Sequence, residues 1–197
     1  MNSKLSIYYY CKKIPFFYKN LWGFKNKNCF FRSLSKKRSK LTRFANILGI
    51  KQTLKFFYNI NEKIFKKFLL ISLKSSVIFI DKFISMLEKR LDIALFRSGL
   101  VKSIFNARQL INHKLVYVNN KIIINPNKKL NINDLIAIKS KPIELNYFLK
   151  NIKAHNFTNY LEIDFKNNSF IFLWDNNLKN TYFPIKINYL LFSRFYK

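Results

Sequence analysis

Between Leu110 and Leu115 the apolar spacing changes its period, and few folds accommodate that change in so short a stretch. Ser103 stands three residues before Asn106 in N-cap position. The helix it opens, Ile104 to about Asn112, turns Ile104, Ala107, Leu110 and Ile111 to one side. From Leu115 the period is two. Leu115 to Val118 and Lys121 to Ile124 are β-branched runs joined by Asn119-Asn120, residues that tolerate the left-handed conformations of a two-residue hairpin turn. Asn125-Pro126-Asn127 breaks the second run, Asn133-Asp134 makes another turn, and Leu135 to Ile138 reads as a third strand. Helices followed by a small antiparallel sheet make the fold class α+β.

Upstream, Phe57, Ile60, Ile64, Phe65, Phe68 and Leu69 keep helical spacing through Leu54 to Leu73. A second pattern, Ile80, Phe83, Ile84, Leu87, Leu91, Ala94 and Leu95, starts at the possible caps Ser75 and Ser76 and runs to Gly99, which can take a positive φ. Asp81, Lys82, Ser85, Glu88 and Lys89 lie between these positions and are expected on a solvated face. After Pro142 a short helix, Ile143 to Ile152, is expected, then strand-like runs Tyr160 to Asp164 and Ser169 to Leu173. The tail from Ile185 to Tyr196 is apolar and aromatic with interspersed cations.

Charge narrows the partner. The chain carries 37 Lys and Arg against 9 Asp and Glu over 197 residues, a formal charge of +28, which repels itself in a compact state until a polyanion neutralises it. With 49% apolar residues the chain can build a core, so wholesale disorder is not expected. A membrane surface is the other abundant polyanion. The most apolar stretch, Phe68 to Ile84, is interrupted by Lys74, Asp81 and Lys82 and falls short of the roughly 20 residues a spanning helix needs. Nucleic acid is therefore the expected partner, and a membrane is not.

No acidic residue precedes Glu62, and basic residues cluster at Lys36, Lys37, Arg38, Lys40 and Arg43, making a basic arm. Its aromatic runs, Tyr8 to Tyr10 and Phe16 to Tyr18, can stack on unpaired bases or pack once the arm is docked. A cleaved targeting sequence at the extreme N-terminus is a further reading. Cys11 and Cys29 lack the paired spacing of a zinc knuckle, so neither a metal nor any other cofactor is expected. Three glycines alongside abundant Asn, Ile, Lys, Phe and Tyr fit AT-rich codons, as in an organelle or a small AT-rich genome.

The two short helices and hairpin, with Arg90, Arg97, Lys102, Arg108, His113, Lys114 and Lys121 around them, form a basic platform for phosphate contacts. The N-terminus at Ser103 adds backbone N–H groups that favour an anion. His113, at a helix end beside Lys114, reads as a cap or an RNA contact rather than a base, because no carboxylate or nucleophile is grouped with it. Asp92 reads as structural, holding Arg97 or a backbone N–H rather than a negatively charged ligand.

The run Arg90-Leu91-Asp92, Leu95-Phe96-Arg97-Ser98-Gly99-Leu100, Ala107-Arg108-Gln109-Leu110-Ile111-Asn112-His113-Lys114 and Val116-Tyr117-Val118-Asn119 closely resembles the RNA-binding domain of the small-subunit ribosomal protein S4 family. That module also occurs in tyrosyl-tRNA synthetases, pseudouridine synthases and heat-shock RNA-binding proteins. Its flanks discriminate. Lys51 to Tyr58 and Glu62 to Phe68 look like the helical segment that precedes the module in the ribosomal family. Tyr160-Leu161-Glu162-Ile163-Asp164 is similar to its W-L-E-V-D segment, and Leu190 to Lys197 looks like its C-terminal tail.

The resemblance runs from about Ser35 to the C-terminus. It implies a helical domain with an inserted S4-type RNA-binding domain: a basic extension at 1–34, a first helical part at 35–88, the inserted domain at 89–140 and a C-terminal part at 141–197 returning to the helical domain. It further implies binding to the 5′ domain of small-subunit rRNA where several helices meet, neighbouring small-subunit ribosomal proteins, and a place near the channel through which messenger RNA enters. The candidate RNA-binding residues are then Arg90, Arg97, Lys102, Ser103, Asn106, Arg108, Gln109, His113, Lys114, Asn119, Lys121, Lys36, Lys37, Arg38, Lys40, Arg43 and Lys51. Asn120 stands where the family usually has Gly, and Ile104 where it often has Arg, so that last contact is expected to be lost. The four-cysteine zinc site of some bacterial members cannot be built from Cys11 and Cys29.

Two other classes fit the module alone. One is an RNA-modifying enzyme, for which the chain has no catalytic motif. The other is a free-standing RNA-binding or ribosome-rescue factor, expected to lack the Tyr160 to Asp164 segment. The composition and basic extension point to a mitochondrial ribosome, with a plastid or a bacterial cytoplasm as the alternative.

Overall fold

The computed structural model describes residues 42–75, 78–101, 103–139 and 158–174. They form five helices and five strands: α1 Arg43–Phe57, α2 Glu62–Leu73, α3 Phe79–Glu88, α4 Leu91–Arg97, α5 Ile104–Asn112, β1 Val116–Val118, β2 Lys121–Ile122, β3 Leu135–Ile138, β4 Leu161–Asp164 and β5 Ser169–Phe172. The fold is α+β. The chain divides into two compact units, with the boundary between Lys67 and Phe68 inside α2.

In the first unit, α1 starts where the Thr42 hydroxyl accepts from the Ala45 N–H at 3.3 Å. It buries Ile47, Ile50, Leu54 and Phe57, spaced at three and four. The helical pattern expected to run unbroken from Leu54 to Leu73 is in fact two helices. Asn59 adopts φ 46°, and the Ile60 N–H returns to the Lys55 carbonyl at 3.1 Å, closing α1 with a left-handed residue. Periodicity alone did not reveal this break, because the apolar positions resume in phase beyond it. Glu62, in the first turn of α2, accepts from Lys55 at 2.9 Å and also pairs with Lys51. Burial raises the Glu62 carboxyl, but the two lysines outweigh burial and hold it below the usual carboxylate range.

The second unit carries α3 to α5 and the sheet. The long helix expected between Ser75 and Gly99 is also two. Ile78 occupies the cap position of α3, while the Ser75 hydroxyl donates back to the Ser72 carbonyl at 2.8 Å. Lys89 and Arg90 interrupt the helix: Arg90 is extended at φ −72°, ψ 138°, and its neighbours exchange backbone hydrogen bonds with the strand-like turn at 128–130. The Leu91 N–H donates to the Lys128 carbonyl at 2.9 Å, and the Leu130 N–H to the Lys89 carbonyl at 2.8 Å. That long-range pairing overrides a local pattern that would otherwise continue. α4 ends at Gly99, whose φ of 74° meets the expectation that this residue stops the helix.

All strand pairs are antiparallel, in the order β2-β1-β3-β5-β4. Asn119 and Asn120, at φ 49° and 64°, make the expected two-residue turn with both central residues left-handed, the geometry whose twist suits a hairpin. Register then places Val116 opposite Ile138, Val118 opposite Ile136, and Ile136 opposite Phe170. These side chains and Phe172 are buried on one face. The sheet does not stop at residue 140: β3 pairs directly with β5, so the Leu161–Phe172 hairpin completes it. The helix expected at Ile143 to Ile152 and the tail from Ile185 lie outside the described residues, as does the extension at 1–34.

Candidate nucleic-acid interface

Every carboxylate between Lys89 and Lys139 is buried, and the exposed ionic surface of this stretch is therefore cationic. Its two acidic residues are Asp92 at 0% and Asp134 at 8% exposure. Gln109, His113, Lys114, Lys121, Lys129 and Lys139 are exposed.

Helix α5 and the residues that flank it carry six of the candidates, Ser103, Asn106, Arg108, Gln109, His113 and Lys114. Its start is fixed by the Ser103 hydroxyl, which accepts from the Asn106 N–H at 3.2 Å, as the sequence predicts. Ile104, Ala107 and Ile111 are fully buried, so the helix cannot roll, and Leu110 is half-buried. Helical geometry then puts Arg108 beside Asn112, and Gln109 beside His113, on the outer side. His113 ends the helix, its N–H donating to the Gln109 carbonyl at 2.9 Å. Lys114 follows at φ 61°, a left-handed backbone that turns the chain into β1. The Leu115 N–H returns to the Leu110 carbonyl at 3.1 Å.

Arg90 and Arg97 are corrections to the expected contact surface. Arg97, 5% exposed, binds Glu88 through two parallel hydrogen bonds, Nε to Oε2 at 3.1 Å and Nη2 to Oε1 at 2.7 Å. The Tyr160 hydroxyl donates to the same Oε2 at 2.8 Å. Glu88 is thus no solvated-face residue but a buried anion, and Ser85 is buried with it. Burial first, and the Glu88 charge second, push the Tyr160 hydroxyl well above its ordinary range. Arg90, 0% exposed, donates through Nη2 to Asp92 Oδ2 at 2.5 Å. Asp92 holds Arg90 and, at 2.8 Å, Nε of Arg108, rather than Arg97. Both guanidiniums serve the interior because each lies against a carboxylate that the fold has desolvated.

Asn119 is likewise committed: its amide donates to Asp134 Oδ1 at 2.8 Å and its carbonyl accepts from the Leu135 N–H at 2.9 Å, clamping the hairpin turn to β3. Asn106 is half-buried. Arg43, exposed, and Lys51, paired with Glu62, belong to the other compact unit. Lys36, Lys37, Arg38, Lys40 and Lys102 lie outside the described residues. The second unit also brings together Lys89, Lys128 and Lys129 across the Arg90–Lys129 bridge, which the sequence reading passed over. Two adjacent lysines after the Pro126 turn were the available signal, but nothing local pairs them with Lys89.

Among the described residues no group of three or more His, Cys, Asp or Glu could hold a metal ion, and no helix is long and apolar enough to cross a membrane.

Comparison with known proteins agrees with this arrangement. Residues 89–136 match the S4 domain family. Small ribosomal subunit protein uS4m of Reclinomonas americana is 36% identical over 163 residues, which cover 78% of this chain and 66% of that relative. Small ribosomal subunit protein uS4 of Ehrlichia ruminantium (strain Gardel) is 32% identical over 80% of this chain and 79% of its own length. This chain belongs to the uS4 family of small ribosomal subunit proteins. The uS4 protein of Caulobacter vibrioides (strain NA1000 / CB15N) extends the match to 90% of the chain, at 29% identity. The uS4 match therefore reaches well beyond the S4 domain on both sides, as the flanking segments led one to expect.

Proposed function

We propose that the chain is a structural protein of the small ribosomal subunit that binds small-subunit rRNA through the second unit. The burial of Asp92 and Asp134 carries this reading, because it leaves exposed cations with no exposed carboxylate between Lys89 and Lys139. A surface of this kind releases counterions from a phosphate backbone and gains affinity by doing so. Its outer residues are Arg108, Gln109, His113, Lys114 and Lys121, with Lys102 and the 36–43 cluster as further contacts. Arg90 and Arg97 build the platform from within, and the exposed Asn119 clamps its hairpin turn to β3.

In this proposal residues 89–140 are the RNA-facing module, buttressed by the Leu161–Phe172 hairpin. The extension at 1–34, the first helical part at 35–88 and the C-terminal part at 141–197 make up the rest of the chain. The RNA is the 5′ domain at a junction of several helices, with neighbouring small-subunit proteins and entering messenger RNA nearby. The role is assembly and architecture, not catalysis, and no cofactor or metal takes part. The compartment is the mitochondrion, supported by the AT-type composition and the mitochondrial relative; plastid and bacterial cytoplasm are the alternatives that cell fractionation separates.

The test replaces Arg108 and Lys114 together by Ala in the full chain. Binding to a transcript of the small-subunit 5′ domain should weaken, and the slope of log affinity against log salt should flatten by about 0.7–0.9 per lost contact. Unchanged affinity in a folded variant refutes the interface. Sedimentation at moderate salt and high magnesium should retain the protein stoichiometrically in small subunits, and substoichiometric, washable binding refutes the ribosomal role.

A further inference from the structure

We infer that Asp92 is a positioning residue for the RNA contact: it fixes the guanidinium of Arg108 at the surface of α5, which rests on the reading of Arg108 as a phosphate ligand. Asp92 lies in the first turn of α4 with a side chain 0% exposed, and its Oδ2 accepts from Arg90 and from Arg108 together. The two cations differ in where they end. The Arg90 side chain is 0% exposed, whereas that of Arg108 is 27% exposed. Of the two cations that share this carboxylate, only Arg108 reaches solvent.

The attachment is through Nε, at 2.8 Å. A guanidinium is planar, so a bond at Nε sets the direction of the whole fork as well as its position. The backbone of Arg108 is fixed from the other side, because Ala107 and Ile111 are 0% exposed and Ser103 caps the helix. Base and head of the side chain are thus both held before any ligand arrives. An arginine restrained in this way loses less conformational freedom on meeting a phosphate than a free surface side chain does. Arg90 offsets the Asp92 charge, so that Asp92 orients Arg108 without cancelling the attraction for an anion.

A double-mutant cycle on the full chain tests this, with a transcript of the small-subunit 5′ domain as probe and thermal melting as the check on folding. Arg108→Ala should weaken binding about tenfold. Asp92→Asn should weaken it roughly three- to tenfold in the wild-type background and add nothing in the Arg108→Ala background. An Asp92→Asn loss of equal size in both backgrounds overturns the inference, since that substitution would then act through the fold and not through Arg108. Wild-type affinity for Arg108→Ala overturns the phosphate contact itself, and the inference with it. Because Asp92→Asn leaves Arg90 without its buried counterion and can unfold the unit, Arg108→Lys supplies a second reading on a surface position. It keeps the charge and loses the rigid fork. The expected result is weakened binding with an unchanged salt slope; wild-type affinity for Arg108→Lys overturns the inference.

Discussion

Tyr160 donates its hydroxyl hydrogen to Oε2 of Glu88 at 2.8 Å, joining residues 72 positions apart in the chain. Glu88 in turn grips Arg97, so the C-terminal hairpin, α3 and α4 meet at a single carboxylate.

Tyr160→Phe should cost about 2 kcal/mol, the range for a hydrogen bond to a charged partner in a desolvated site. Urea unfolding followed by circular dichroism measures it. The same residue gives a pH signature. Its folded pKa is raised above the ordinary value of 10.0, so its contribution is complete below that pH. Above it the unfolded chain ionises first, and stability falls as pH rises, by at most about 1.4 kcal/mol per unit. The variant should show a shallower alkaline decline than the wild type.

Removing one member of the buried pair should be far worse. Arg97→Ala or Glu88→Ala leaves an uncompensated charge and should cost about 3–5 kcal/mol, whereas Glu88→Leu with Arg97→Leu should lose much less than the sum of two single changes. Denaturant midpoints for the singles and the double decide this. Additive losses would mean that the ion pair is not the unit that matters.

Lys114 should give opposite signs in two assays. Its backbone sits at φ 61°, a conformation that costs a residue with a Cβ roughly 1 kcal/mol and glycine almost nothing. Lys114→Gly should therefore raise the melting temperature while weakening RNA binding through the lost charge. A melt and a filter-binding titration on one preparation suffice.

Glu62 predicts acid sensitivity in the other compact unit. Its carboxyl is held below the ordinary value of 4.5, so its contribution is present above that pH and disappears as pH falls through the depressed value. The pair is partly exposed, which limits the effect to less than about 1 kcal/mol. Glu62→Gln should therefore lower the melting temperature slightly at neutral pH, by no more than that amount, and converge with the wild type in acid, so that the acid limb of its profile is flatter.

Local chemistry made much of this legible in the sequence. The Ser103 cap, the Asn119-Asn120 turn, the Gly99 stop and the three strands that follow depend on neighbours a few residues away, and each was readable there. The breaks at Asn59 and at Lys89-Arg90 were not. The first hides because the helical phase survives the turn; the second exists only because 128–130 pairs with the chain there. The site shows the same division. Exposed Gln109, His113, Lys114 and Lys121 follow from helix and hairpin geometry, but Arg90 and Arg97 are buried against the nearby carboxylates of Asp92 and Glu88, and Glu88 also receives a tyrosine from 72 residues away. An arginine has the same letter whether it meets a phosphate or an aspartate.

The pairing of β3 with β5 also bears on how the protein is made. While the ribosome is still short of Phe172, α4, α5 and the first hairpin have emerged, but β3 has an open edge and Glu88 lacks Tyr160. At about 5–20 residues per second that interval lasts on the order of seconds. During it the nascent chain holds α4, α5 and the first hairpin over a sheet that still lacks the two strands that complete it.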